Sequence, residues 1–113
     1  SAANGMEELI TEIVKHGLPT DNMMFCTDDK HIENIRREGH INCIARMAVK
    51  CGMDPIQAVK MASYNAARAY GLRNIGAIAP GYKGDMVLFF NMNMVPVSTC
   101  PADGSVSFDC VVQ

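Results

Sequence analysis

The chain has 113 residues, 49% of them hydrophobic and 19% charged, and a formal net charge of −2. That length fits one domain whose small core depends on close packing. The weak acidity, with basic residues scattered apart from Arg36-Arg37, excludes the electrostatic footprint of a nucleic-acid binder. No run approaches the roughly 20 apolar residues of a membrane-spanning helix. Five cysteines with no CxxC spacing read as free thiols in a cytoplasmic protein rather than as a disulfide framework.

Ser1-Ala2-Ala3-Asn4-Gly5 reads as an expression remnant or a cut end. Met6, Leu9, Ile10, Ile13 and Val14 then recur at spacings of mainly three and four, which predicts an amphipathic helix stopped by Gly17 and Pro19. His16 falls in its last turn, where a cation complements the helix dipole. The short apolar run Asn22-Met23-Met24-Phe25-Cys26, bounded by polar turn residues, predicts one buried strand. Such a strand needs neighbours for its backbone groups, and the N-terminal half offers none.

Thr27, Asp28 or Asp29 is expected to cap a short helix over Ile32 to Arg37, ended by Gly39. His40 opens a longer helix with Ile41, Ile44, Ala45, Ala48 and Val49 on one side, ended by Gly52. Asp54-Pro55-Ile56-Gln57 is a dense start signal: an Asp cap, proline at the first helical position and glutamine at the third. The helix that follows is expected to carry Ile56, Val59, Ala62 and Ala66 along one face. It runs to about Asn65, with one further turn ending at Gly71. Asn65, Arg68 and Tyr70 read as capping and packing residues. Beyond Tyr70, turn-dense text leads to the apolar run Met86-Val87-Leu88-Phe89-Phe90, and a last strand is expected between Val106 and Val112. The fold class is therefore α+β, with about four helices and a few strands.

The chemistry gathers in Phe25-Cys26-Thr27-Asp28-Asp29-Lys30-His31, two carboxylates and an imidazole just past the expected strand end. That is where α/β enzymes place polar groups. Asp28 suits ligation of a divalent metal or proton transfer from an activated water. Asp29, His31 and His40 are the nearby candidates for a pocket or supporting role. Their spacing matches no compact zinc motif, so a self-contained metal site is not expected. Asp28 and Asp29 are adjacent and point apart, which disfavours a glycosidase-like pair. The glycines between 71 and 84 match neither GxGxxG nor GxxxxGK[ST].

Those residues also carry a resemblance. Cys26-Thr27-Asp28-Asp29, Glu38-Gly39-His40-Ile41, Asp54-Pro55, Met61-Ala62 and Asn65-Ala66-Ala67 occur in order and at compatible spacing. Tyr70-Gly71-Leu72, Gly76-Ala77-Ile78-Ala79-Pro80-Gly81 and Gly84-Asp85 follow them. Together they resemble the C-terminal part of bacterial adenine deaminases, in the metal-dependent amidohydrolase superfamily. The resemblance implies the last strand and following helices of a (β/α)8 barrel over residues 6–75. Over 76–113 it implies part of a small β-sandwich, with a tail that departs from the family pattern after Phe90. It further implies that Asp28 is both catalytic and a metal ligand in the intact enzyme. The metal would be a divalent first-row ion (Mn, Fe or Zn), and the substrate a purine deaminated from adenine to hypoxanthine and ammonia. The isolated chain is expected to be inactive, to hold no metal tightly and to self-associate. Two alternatives stay open: a piece of another amidohydrolase, dihydroorotase-like or amide-hydrolysing, and a non-catalytic helical interaction module.

Overall fold

The computed structural model describes residues 2–84 of the chain. The apolar run at 86–90 and the expected strand between Val106 and Val112 lie outside the described residues. Among the described residues five helices follow one another: α1 (Ala2–His16), α2 (Ile32–Glu38), α3 (Ile41–Lys50), α4 (Pro55–Ala62) and α5 (Tyr64–Ala69). α3 packs against both α1 and α4, and α4 packs against α5. Among the described residues no helix is long and apolar enough to cross a membrane.

Small side chains set the spacing of this stack. Ala45 and Ala48 of α3 and Ala58 of α4 are fully buried, so the two helices approach with little between them. Ile10 and Ile13 of α1, Ile44, Met53 and Met61 complete the core, with Phe25 entering it from the segment between α1 and α2. The apolar stripe of α1 is only partly used, because Leu9 remains exposed. On α4 Ala58 and Met61 are the buried residues; of the expected stripe, Val59 and Ala62 are partly buried against the core, while Ile56 is 64% exposed. Two residues turn a helix by more than half a circle, so burying Ala58 against α3 necessarily points Ile56 outward.

The start of α4 follows the sequence signal. Asp54 Oδ2 accepts the Gln57 backbone N–H at 3.2 Å, and Pro55 occupies the first helical position, where its missing N–H costs nothing. Asp54→Ala should therefore lower stability by about 1 kcal/mol, and Asp54→Ser by much less. Equilibrium urea denaturation followed by circular dichroism measures both. The expected continuous helix to Asn65 is instead broken at Ser63, whose backbone leaves the helical region (φ −138°, ψ −71°). Ser63 Oγ donates back to the Val59 carbonyl at 2.7 Å, the local bond with which serine competes against helix propagation. The chain restarts at Tyr64 and turns away after Ala69, with Gly71 at φ +65°.

Two further expectations change. Among the described residues there is no strand, and residues 23–28 run without regular secondary structure or a ladder. A strand exists only as a pairing, and the partner here is a helix end. Phe25 donates its N–H at 3.0 Å to the Met61 carbonyl, in the last turn of α4, where carbonyls lack helical partners. Burial still alternates along the segment, with Phe25 inside and Met24 and Cys26 exposed. The residue preceding α2 is His31, which makes no side-chain capping bond, rather than Thr27, Asp28 or Asp29.

Candidate functional site

The segment through Phe25 leads into the loop 26–31, which carries the chemistry expected from the sequence. Asp28 is exposed and sits in the left-handed region, at φ +51°. Non-glycine residues rarely adopt that conformation, and Asp and Asn tolerate it best. Such a backbone lifts the side chain out of the alternation of the preceding residues. Asp29 and His31 are exposed as well.

His40 is brought to this loop from the far side of α2. Its Nε2 lies 2.7 Å from Thr27 Oγ1, which ties the residue next to Asp28 to the beginning of α3. His40 is itself held by Asn42, whose Oδ1 accepts the His40 backbone N–H at 2.7 Å. Gly39 makes this possible. Its φ is +93°, and a Cβ there would stand 2.7 Å from that same Asn42 Oδ1. A larger residue there would adopt a strained backbone and push the Asn42 amide from its place.

α2 is strapped over the loop by charge. Lys30 Nζ reaches Glu38 Oε2 at 3.4 Å, and Arg37 reaches Glu38 Oε1 at 3.3 Å. The hydrogen bond from Lys30, then that from Arg37, lowers the Glu38 pKa below its ordinary value. A carboxylate with a depressed folded pKa stabilises the fold above its unfolded pKa. That contribution is lost as pH falls through the folded one. The window thus lies on the acid side of the ordinary glutamate value. Lys30→Ala should raise the Glu38 midpoint, read from its side-chain carbon shift in an NMR titration; an unmoved midpoint would show the strap to be open in solution.

The four candidate residues do not converge. Thr27 links the Asp28 loop to His40, while no group of three or more His, Cys, Asp or Glu side chains that could hold a metal ion occurs among the described residues. Cys26, Cys43 and Cys51 are free thiols, and Cys26 alone of the three is exposed. Exposed carboxylates without a converging donor set do not fit a self-contained metal centre, since a hydrolytic centre takes three or more protein ligands.

One group of residues went unread in the sequence as part of the site. Asn65 is buried, and its Nδ2 donates to the Thr20 and Met23 carbonyls at 2.9 Å each. Arg68 donates to the Asp21 carbonyl and to Asn22 Oδ1, and Gln57 Nε2 donates to Thr20 Oγ1 at 2.7 Å. All three side chains hold the turn that opens the Asp28-bearing segment. The one available signal was a lone asparagine among the alanines of a helix face.

Against known proteins, the Amidohydrolase family matches residues 3–105. The adenine deaminase of Kosmotoga olearia is 47% identical over 87% of the chain, and that of Desulfitobacterium hafniense (strain Y51) 42% identical over 86%. The adenine deaminase of Roseobacter denitrificans is 41% identical over the whole chain. In each case the matched region is 17% to 20% of the relative's length, so the chain spans about a fifth of the curated relatives it matches. With the family match extending over nearly all of its residues, the chain belongs to the amidohydrolase family.

Proposed function

We propose that this chain is a segment of an adenine deaminase, contributing Asp28 to the hydrolysis of adenine to hypoxanthine and ammonia. The carrying observation is the 41% to 47% identity to relatives bearing that name, over 86% or more of the chain. Residues 6–75 would then form the end of the barrel, with 22–26 as its last strand once neighbouring strands are present. Residues 76–113 would belong to the small β-sandwich.

In the reaction, water adds to C6 of the purine, and the exocyclic amine leaves as ammonia. A carboxylate at position 28 takes a proton from the water and returns it to the departing nitrogen, the double role of a positioned general acid–base. Its exposed, left-handed position at the end of an anchored segment suits a group that must meet a substrate. His40, through Thr27, steadies the loop, and Asp29 and His31 border it. The divalent first-row metal implied by the resemblance would draw its remaining donors from elsewhere in the longer protein, because the described residues do not assemble a binding set.

The 113-residue chain alone should therefore release no ammonia from adenine above an Asp28→Ala control. Its melting temperature should not change with a chelator, since a site with no binding energy adds no folding energy. Sedimentation should find it self-associated, because Ile32, Ile56 and Ile78 are all more than 60% exposed. Ammonia release by the isolated chain, or zinc retained stoichiometrically through dialysis, would contradict this reading.

A further inference from the structure

Residues Thr20 to Met23 close a tight turn, with the Met23 N–H donating to the Thr20 carbonyl at 2.9 Å. The chain leaves this turn as the segment that ends at Asp28. α5 grips the turn at every point along it. Asn65 and Arg68, three apart and so on one side of the helix, reach it together. The Asn65 amide nitrogen serves the carbonyls at both ends of the turn, 2.9 Å from each. The Arg68 guanidinium serves the Asp21 carbonyl and Asn22 Oδ1 between them.

Asn65 does this under an unusual constraint. It is 5% exposed, and with its nitrogen turned to two carbonyls, its Oδ1 is buried with no hydrogen-bond partner among the described residues. Leaving a buried acceptor unmade is unfavourable, and a leucine of similar size would fill the space without it. Packing therefore does not account for an amide here. Gripping the turn does.

We propose that Asn65 and Arg68 are positioning residues that fix where this segment leaves the turn, and through it where Asp28 stands. This rests on the role of Asp28 given above. Neither residue touches the reacting atoms. Downstream, the segment has two more anchors, the Phe25 N–H on the Met61 carbonyl and Thr27 on His40. With the turn released, those two alone restrain the segment, so it opens more often and the direction from which it arrives is no longer set.

The test uses Asn65→Leu, Arg68→Ala and Arg68→Lys in two settings. In the 113-residue chain, amide hydrogen exchange by NMR should quicken about tenfold at Phe25 in Asn65→Leu, with Ala48 in α3 unchanged, because exchange reports local opening. Should Asn65→Leu fail to fold, Arg68→Ala gives the same reading, since Arg68 is exposed and outside the core. In the longer protein assayed with adenine, kcat should fall about tenfold with KM retained, as misplacement of a reacting group costs turnover rather than binding. Arg68→Lys should recover part of what Arg68→Ala loses. Unchanged exchange at Phe25, or a raised KM with kcat intact, overturns the proposal. An Asp28→Asn protein that keeps full kcat overturns both this proposal and the role of Asp28. An inactive Asp28→Asn with Asn65→Leu at full kcat overturns the positioning role alone.

Discussion

Asp28→Asn should reduce adenine turnover by the protein that carries this segment by a factor of about 10² to 10⁴, the range supplied by a positioned general acid–base. Asparagine is the informative replacement. It matches aspartate in size and tolerates the left-handed backbone at φ +51°, so the loop keeps its shape while the proton-transfer group is gone. Asp28→Ala also removes the carboxylate, but it adds backbone strain that confuses a loss of chemistry with a loss of structure. Because Asp28 is exposed and outside the core, the far-ultraviolet circular dichroism and melting temperature of Asp28→Asn should match those of the parent. Initial rates of ammonia release, measured beside those spectra, check the prediction. Turnover within about twofold of the parent would remove Asp28 from the chemistry, since the role assigned to it is worth far more.

The second large effect is on stability. Ile10 is 1% exposed and is the largest fully buried side chain among the described residues, at the point where α1 meets the rest of the core. Ile10→Ala removes that volume and leaves a cavity, at a cost of about 2 to 5 kcal/mol. Whole domains are stable by only about 5 to 15 kcal/mol, so the substitution consumes a large share of the margin. Ile56→Ala is the matched comparison. It deletes the same atoms from a side chain that is 64% exposed, and should stay within about 0.5 kcal/mol of the parent. Urea midpoints for the pair test the packing directly. Equal midpoints would mean that α1 does not dock as described.

Much of the helical framework was legible from spacing. The stripe of α3, most of that of α1 and the Asp54-Pro55-Gln57 start of α4 appear where periodicity and capping chemistry place them. These are local signals, and helices are local structures. The segment at 22–26 shows the limit of the same method. Its apolar content correctly predicts burial of Phe25, but a strand is a relation between segments, and among the described residues no second strand exists to pair with it. Ile56 was misplaced for a related reason, because which stripe of α4 faces inward depends on α3 accepting Ala58 at close range.

The site divides in the same way. Asp28 stands out as a carboxylate beyond an apolar run, and His40 as one of the few polar candidates near it in the sequence. Nothing in sequence, however, joins Thr27 to a histidine thirteen positions later; the intervening turn of α2 does that. In the sequence Asn65 looks like a capping or packing residue, as an asparagine near a helix end does. Only burial distinguishes it, with 45 residues separating its amide from the Thr20 carbonyl it binds.

The assignment to adenine rather than another amidohydrolase substrate is tested most directly by product analysis. The purified protein carrying this segment is incubated separately with adenine, dihydroorotate and a simple amide. Each reaction is followed by chromatography of the products and by ammonia release. Hypoxanthine and ammonia should form in equal amounts from adenine, and neither other substrate should turn over at a comparable rate. Hydrolysis of dihydroorotate or of the amide, with adenine recovered unchanged, would contradict the proposed function while leaving membership of the amidohydrolase family intact.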